Sequence, residues 1–284
     1  MKKYLPRIHL LTLIAGSLGI LLRFWLLAIG EDEKGLYPAH HISWILLVLL
    51  SIVVGIGIFL IAGHAGKSRS YSANFPASIP GALGYVLGGA ALLFSGSAYF
   101  SQGTLILYPI TGALSLVSGA VLLLGGWFRF QGKRPHFAIL ALPCLCFCLR
   151  LFCMGHTWGD EPEISRFFFA FLATAAAIPA FYQLWAFAVG LGKRASSLLC
   201  SLLVVYLCLV AAPGDTNGLV YLAMAAFFFL NLCPQKPSSR RVAPAAPAEE
   251  PAVTPPEEML PEQRDPEIDA LIAELKLQIE DFKE

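Results

Sequence analysis

Charge is what this chain of 284 residues has least of: 14% of its residues are Asp, Glu, Lys or Arg, where a soluble domain carries about 25%. Hydrophobic residues make up 57%, so water is the wrong solvent for most of the chain. The formal net charge of +1 averages two unlike parts. Fourteen Lys/Arg and seven Asp/Glu precede Pro234, whereas six and twelve follow Cys233.

Acidic residues are missing from every long apolar run. Proton-coupled transporters normally relay through a mid-membrane carboxylate, so that mechanism loses ground. Catalytic signatures are missing as well: there is no zinc-protease helix, nucleophile elbow, phosphate-binding loop or nucleic-acid module. An enzyme is unsupported, and neither a cofactor nor a nucleic-acid partner is expected.

The seven cysteines form no disulfide framework. Cys144, Cys146, Cys148 and Cys153 share one apolar run, Cys200 and Cys208 another, and Cys233 ends a third, while the polar connections expected outside the cell contain none. Cysteine acts here as a small apolar residue. His40, His41 and His156 flank acidic segments, but their spacing matches no metal motif, so no metal is expected.

What the chain does have is long apolar runs. A hydrocarbon core of ~30 Å needs roughly 20 apolar residues in a helix. Such runs lie near residues 8–29, 41–62, 81–100, 104–127, 136–154, 166–190, 195–212 and 217–233, about eight in all. Only Ser101, Gln102, Gly103 and Thr104 separate the third from the fourth, which predicts a hairpin. The connections alternate in sign. Lys2, Lys3 and Arg7, then Lys67 and Arg69, then Arg129, Lys133 and Arg134, then Lys193 and Arg194 mark one side. Glu31, Asp32 and Glu33, then Asp160, Glu161 and Glu163, then Asp215 mark the other, opposed only by Lys34 and Arg166. Lys/Arg-rich connections stay in the cytoplasm, so both termini are expected there and the membrane is expected to be the plasma (cytoplasmic) membrane. The first run is not read as a cleaved signal peptide, because Arg23 interrupts it and no small-x-small site precedes Glu31.

The predicted fold class is all-α, a polytopic membrane protein of about eight transmembrane helices. An internal repeat is also expected. Leu22-Arg23-Phe24-Trp25 leads through Gly30 to an acidic segment, and Leu149-Arg150-Leu151-Phe152 leads through Gly155 to another. Four spans return the chain to its starting side, so such halves would be parallel repeats. The expected divisions are 1–135 (spans one to four), 136–233 (spans five to eight), 234–264 (a tether) and 265–284 (an amphipathic helix).

Arg23 and Arg150 are the only charges within spans and away from their ends. Each lies about four to seven residues from its outer end, roughly 6–10 Å deep at 1.5 Å per residue. Two roles fit: snorkelling to the headgroups, or an anion or salt-bridge site with Glu31, Asp32, Glu33, Asp160 and Glu161 as partners. Gly81, Gly84 and Gly88 in the third span, with Gly112 and Gly119 in the fourth, read as close helix packing. Pro179 predicts a kink, and Gln183 and Asn231 read as interhelical hydrogen-bond partners.

After Cys233 the composition turns to Pro, Ala and Glu, which cannot bury a core and predicts an extended tether. Asp265-Pro266 then offers a helix start. Ile268, Ile272, Leu275, Ile279 and Phe282 follow at alternating spacings of four and three, with Leu271 widening the seam. A helix this short is marginal alone, so a cytosolic protein or a second copy is its expected partner, beside the lipid bilayer. Two functions stay open: a non-enzymatic scaffold or sensor that docks a cytosolic partner through this helix, or a transporter or binding subunit for a small, possibly anionic solute near the two arginines.

Overall fold

The computed structural model describes residues 5–29, 41–65, 71–101, 106–158, 164–215 and 217–232. All belong to one compact unit, Met1–Gln235. The acidic segments holding Glu31, Asp32, Glu33, Asp160 and Glu161, the tether and the tail helix lie outside the described residues.

The described residues are all-helical. Eight helices longer than one turn are α1 (Leu5–Ile29), α2 (Ile42–Gly63), α4 (Ile79–Tyr99), α5 (Leu107–Gln131), α6 (Phe137–Trp158), α7 (Ile164–Val189), α8 (Arg194–Ala211) and α9 (Gly218–Leu232). A single turn, α3 (Tyr71–Asn74), precedes α4. The first seven of the eight are long and apolar enough to cross a membrane. Their outward side chains, such as Phe59, Leu60, Phe94 and Phe152, are large, apolar and exposed, which suits lipid and not water. The 15-residue α9 reaches about 22 Å at 1.5 Å per residue, short of a ~30 Å core.

Local sequence sets the ends. Ser78 caps α4 by accepting from the Gly81 amide at 3.0 Å, and Pro80 sits in the first turn, where its missing N–H costs nothing. Gly132 ends α5 in the left-handed region at φ 71°, letting Lys133 N–H reach the Phe128 carbonyl at 2.9 Å. Pro143 and Pro179 lie inside α6 and α7, and both helices run on through them.

Six helices close a ring, in which α4, α5, α6, α7, α8 and α9 each pack on the next and α9 packs back on α4. The pair α1 and α2 lies outside the ring against α8. The hairpin α4–α5 is the tightest junction, because glycine meets glycine backbone twice. A methyl group added to Gly119 would lie 2.7 Å from the Gly89 carbonyl oxygen, and one on Gly96 would lie 3.0 Å from that of Gly112. Gly84 and Gly88 turn the other way, onto Phe227 and Met224 of α9, and Gly81 turns to Ser78 and Arg129. The expected α4 stripe therefore serves α9 and the end of α5, while Gly89 and Gly96 make the contacts with Gly119 and Gly112.

Aromatic rings fill the middle of the ring of helices. Phe181 of α7 stacks on Phe227 at 5.4 Å and meets Phe228 edge-on at 5.1 Å, reaching α9 past α8. Tyr85 of α4 meets Phe227 at 4.8 Å, and Phe147 of α6 stacks on Phe181 at 5.3 Å. All five side chains are fully buried. Each such pair adds about 0.5–1.5 kcal/mol to the burial of its area.

Candidate functional site

The polar interior lies on the side of these aromatics toward Trp158, Asp215 and Gly218, which we call the acidic face. The opposite, basic face carries Lys133, Arg134 and Lys193.

Arg150 leaves α6 toward the ring interior and is buried. Its Nη1 donates to Ser95 Oγ of α4 at 2.6 Å. The guanidinium also lies over Tyr99 at 5.1 Å and over Phe147 of its own helix at 5.8 Å. Aromatic faces and one hydroxyl thus take the place of water around the cation. Tyr99 in turn stacks on Tyr108 of α5 at 6.4 Å, and Tyr108 shares a 2.8 Å hydrogen bond with Thr157 of α6. Deeper in the ring, Thr174 of α7 shares a hydrogen bond with Tyr221 of α9 at 3.3 Å and donates to Met154 Sδ of α6 at 3.3 Å. Five ring helices, α4, α5, α6, α7 and α9, are joined here through these side chains.

Arg23 is buried as well, and its guanidinium faces the Phe169 ring of α7 at 5.9 Å. Both side chains end inside the helix bundle, where Tyr99 and Phe147 offer π faces to Arg150 and Phe169 offers one to Arg23.

Both arginines bear on Asp215, in the connection between α8 and α9. Burial pushes its carboxyl above the ordinary value of 3.8, while hydrogen bonding to Asn217 and then the charges of Arg150 and Arg23 pull it partly back. Its Oδ1 accepts from the Asn217 amide at 2.7 Å, and its Oδ2 is buried with no hydrogen-bond partner among the described residues. Asp215 is thus the described carboxylate that both cations act upon. Sequence reading placed it on the acidic side but did not connect it to them. The missing signal was distance: Asp215 is 65 positions from Arg150, and only the closure of the ring brings them together.

The remaining sequence-derived residues divide by role. Thr111 and Ser115 of α5 share 3.2 Å hydrogen bonds with the thiols of Cys153 and Cys146, so these cysteines serve helix packing. Asn231 donates to the Phe227 carbonyl within its own helix at 2.8 Å; the expected bond between helices gives way to the acceptor one turn back. Gln183 Oε1 is buried without a hydrogen-bond partner among the described residues. Among those residues no group of His, Cys, Asp and Glu could hold a metal ion. A depression of about 570 Å³ opens at the basic face between Arg134, His136 and Trp185, away from Arg23 and Arg150.

No protein family, curated protein or solved structure was found to match this chain.

Proposed function

We propose that this chain is a non-enzymatic scaffold or sensor of the cytoplasmic membrane, holding a cytosolic partner through residues 265–284. The observation that carries the reading is the filled interior: Phe181 meets Phe227 and Phe228 across the ring, separating the polar groups of the acidic face from the basic face. A body sealed in this way suits holding and sensing more than passage. The tail adds a seam of Ile268, Leu271, Ile272, Leu275, Ile279 and Phe282, which needs a partner to be stable.

The proposal includes eight spans with both termini in the cytoplasm. The sign alternation of the connections favours it, and α9 then crosses near its length limit. It also includes the parallel four-plus-four repeat. Burial of both Arg23 and Arg150 against aromatic rings supports equivalence of α1 and α6. Packing pulls the other way, since α6 packs on α5 and α7 while α1 packs on α2 and α8.

Replacing Leu275 and Ile279 together with Asp tests the docking role. Co-purified cytosolic species, and self-association, are compared between the wild-type and substituted proteins at equal membrane levels. Each buried apolar side chain contributes roughly 1.5–3 kcal/mol, so the docked species should fall by tenfold or more. Recovery of the same species in the same amounts would overturn the reading.

A second reading, a transporter or binding subunit for a small anion, is favoured by one observation: Arg23 and Arg150 come from different helices and both act on Asp215. An anionic solute would take the place of that carboxylate. Saturable uptake or binding of an organic anion, lost in Arg150→Met, would establish it over the first reading.

A further inference from the structure

Arg129, near the end of α5 on the basic face, plays no part in either reading, yet its surroundings are unusual. The residue is 3% exposed, and its Nε and Nη1 are fully buried without a hydrogen-bond partner among the described residues. Its guanidinium lies over the Phe75 ring at 5.3 Å and within electrostatic reach of Tyr71 and Tyr85. It is also aimed at the start of a helix. A methyl group added to Gly81, in the first turn of the 21-residue α4, would lie 2.8 Å from Arg129 Nε. Ser78 already takes the Gly81 and Ala82 amides with its hydroxyl and carbonyl oxygens, so what the helix start adds beside the buried cation is its dipole, which favours an anion at this spot.

Among the described residues no carboxylate lies near this spot. From Lys34 to Gly159, which covers α2 to α6, there is no Asp or Glu, and the connection around Lys193 contains none. The neighbouring exposed groups, Lys133 and Arg134, add positive charge. On the outward side of the same turns, Trp127 and Phe130 are exposed with ring centres 6.3 Å apart, and tryptophan is a residue enriched at headgroup depth in membranes.

We propose that the start of α4 and the guanidinium of Arg129 form a binding site for an anionic phosphate group, supplied by an acidic phospholipid headgroup or by free phosphate. Arg129 Nε and the Nη2 that shares its edge of the guanidinium would donate to two phosphate oxygens, a paired geometry that guanidinium matches and ammonium does not. Phe75, just after α3, covers the guanidinium, and Tyr71 packs on Phe75 at 5.2 Å. The site is separate from the Arg23 and Arg150 cluster and stands or falls independently of it.

Full-length protein in detergent is titrated with phosphatidylglycerol, phosphatidylcholine or inorganic phosphate while its melting temperature is followed. Phosphatidylglycerol should raise the wild-type melting temperature and phosphatidylcholine should not. In Arg129→Met the phosphatidylglycerol needed for half the rise should increase by about tenfold or more. An Arg129-dependent rise with phosphatidylglycerol alone identifies the lipid as the source; the same rise with inorganic phosphate identifies the free ion. If Arg129→Met does not fold, Arg129→Lys decides: it keeps the charge, removes the paired donors and should lose most of the response. Equal rises with the two lipids, an unchanged response in the Arg129 variant that folds, or a response abolished by Lys133→Ala with Arg134→Ala but not by the Arg129 variant would overturn the site.

Discussion

Arg150 on α6 donates to Ser95 on α4 across the interior of the helix ring, at 2.6 Å and with α5 lying between the two helices in sequence. A hydrogen bond from a charged donor contributes about 1.5–3 kcal/mol when both groups are buried. Ser95→Ala should therefore lower stability by about that amount. Ser97→Ala is the control, since its hydroxyl bonds only to the Phe94 carbonyl on an exposed surface and its loss should be small. Thermal or denaturant unfolding in detergent compares the two; equal losses would mean that the Arg150 bond adds nothing beyond loss of a hydroxyl.

Asp215 gives a pH dependence of defined sign. Its folded value is raised, with burial the largest cause, so the folded protein binds this proton more tightly than the unfolded chain. Stability from this group is full at acid pH and declines as pH rises from the ordinary carboxylate range through the raised folded value. Asp215→Asn mimics the protonated form. It should be more stable than wild type at neutral pH and should show a flatter melting temperature between pH 4 and neutrality. A wild-type curve that rises with pH over that interval, relative to the Asn variant, would contradict this.

Much of the architecture was legible in the sequence because the bilayer leaves so few choices. Eight apolar runs became eight helices with ends displaced by a few residues, as at Ile42–Gly63 against the expected 41–62. Lateral arrangement was not legible. Nothing in the residues of α1 says that it packs outside the ring on α8, because apolar faces carry no address. The polar centre was half legible: two charged residues in apolar runs stand out at once, whereas Ser95, Tyr99 and Asp215 are ordinary until the ring closes. Arg129 was read as a loop charge, and only its burial beside the start of α4 sets it apart.

The α4–α5 junction depends on the absence of side chains at two crossings. A methyl group on Gly119 would meet the Gly89 carbonyl oxygen at 2.7 Å, and backbone cannot rotate away as a side chain would. Gly119→Ala should lower stability by about 1–3 kcal/mol, the usual range for overpacking. Gly55 of α2 has open space where its methyl group would go. Gly55→Ala should leave stability unchanged or improve it by up to about 1 kcal/mol, since alanine favours the helix. Melting temperatures of the two variants separate crowding from the general effect of losing a glycine; equal shifts would place the hairpin contact elsewhere.

Membrane orientation can be tested apart from function. Lys133 is exposed on the basic face, and Asp160 belongs to an acidic connection. Cationic connections resist translocation, so position 133 should face the cytoplasm and position 160 the outside. Lys133→Cys and Asp160→Cys are made singly in a background with the seven native cysteines replaced, and intact cells are treated with a membrane-impermeant thiol reagent. Label should enter at 160 before lysis and at 133 only after it. The replaced cysteines include buried Cys146 and Cys153, which bond to Ser115 and Thr111, so small residues such as Ser or Ala are the replacements that best preserve packing. Labelling at 133 from outside, in cells that also protect 160, would invert the chain and move Arg129 to the outer leaflet, without altering the distances on which its proposed site rests.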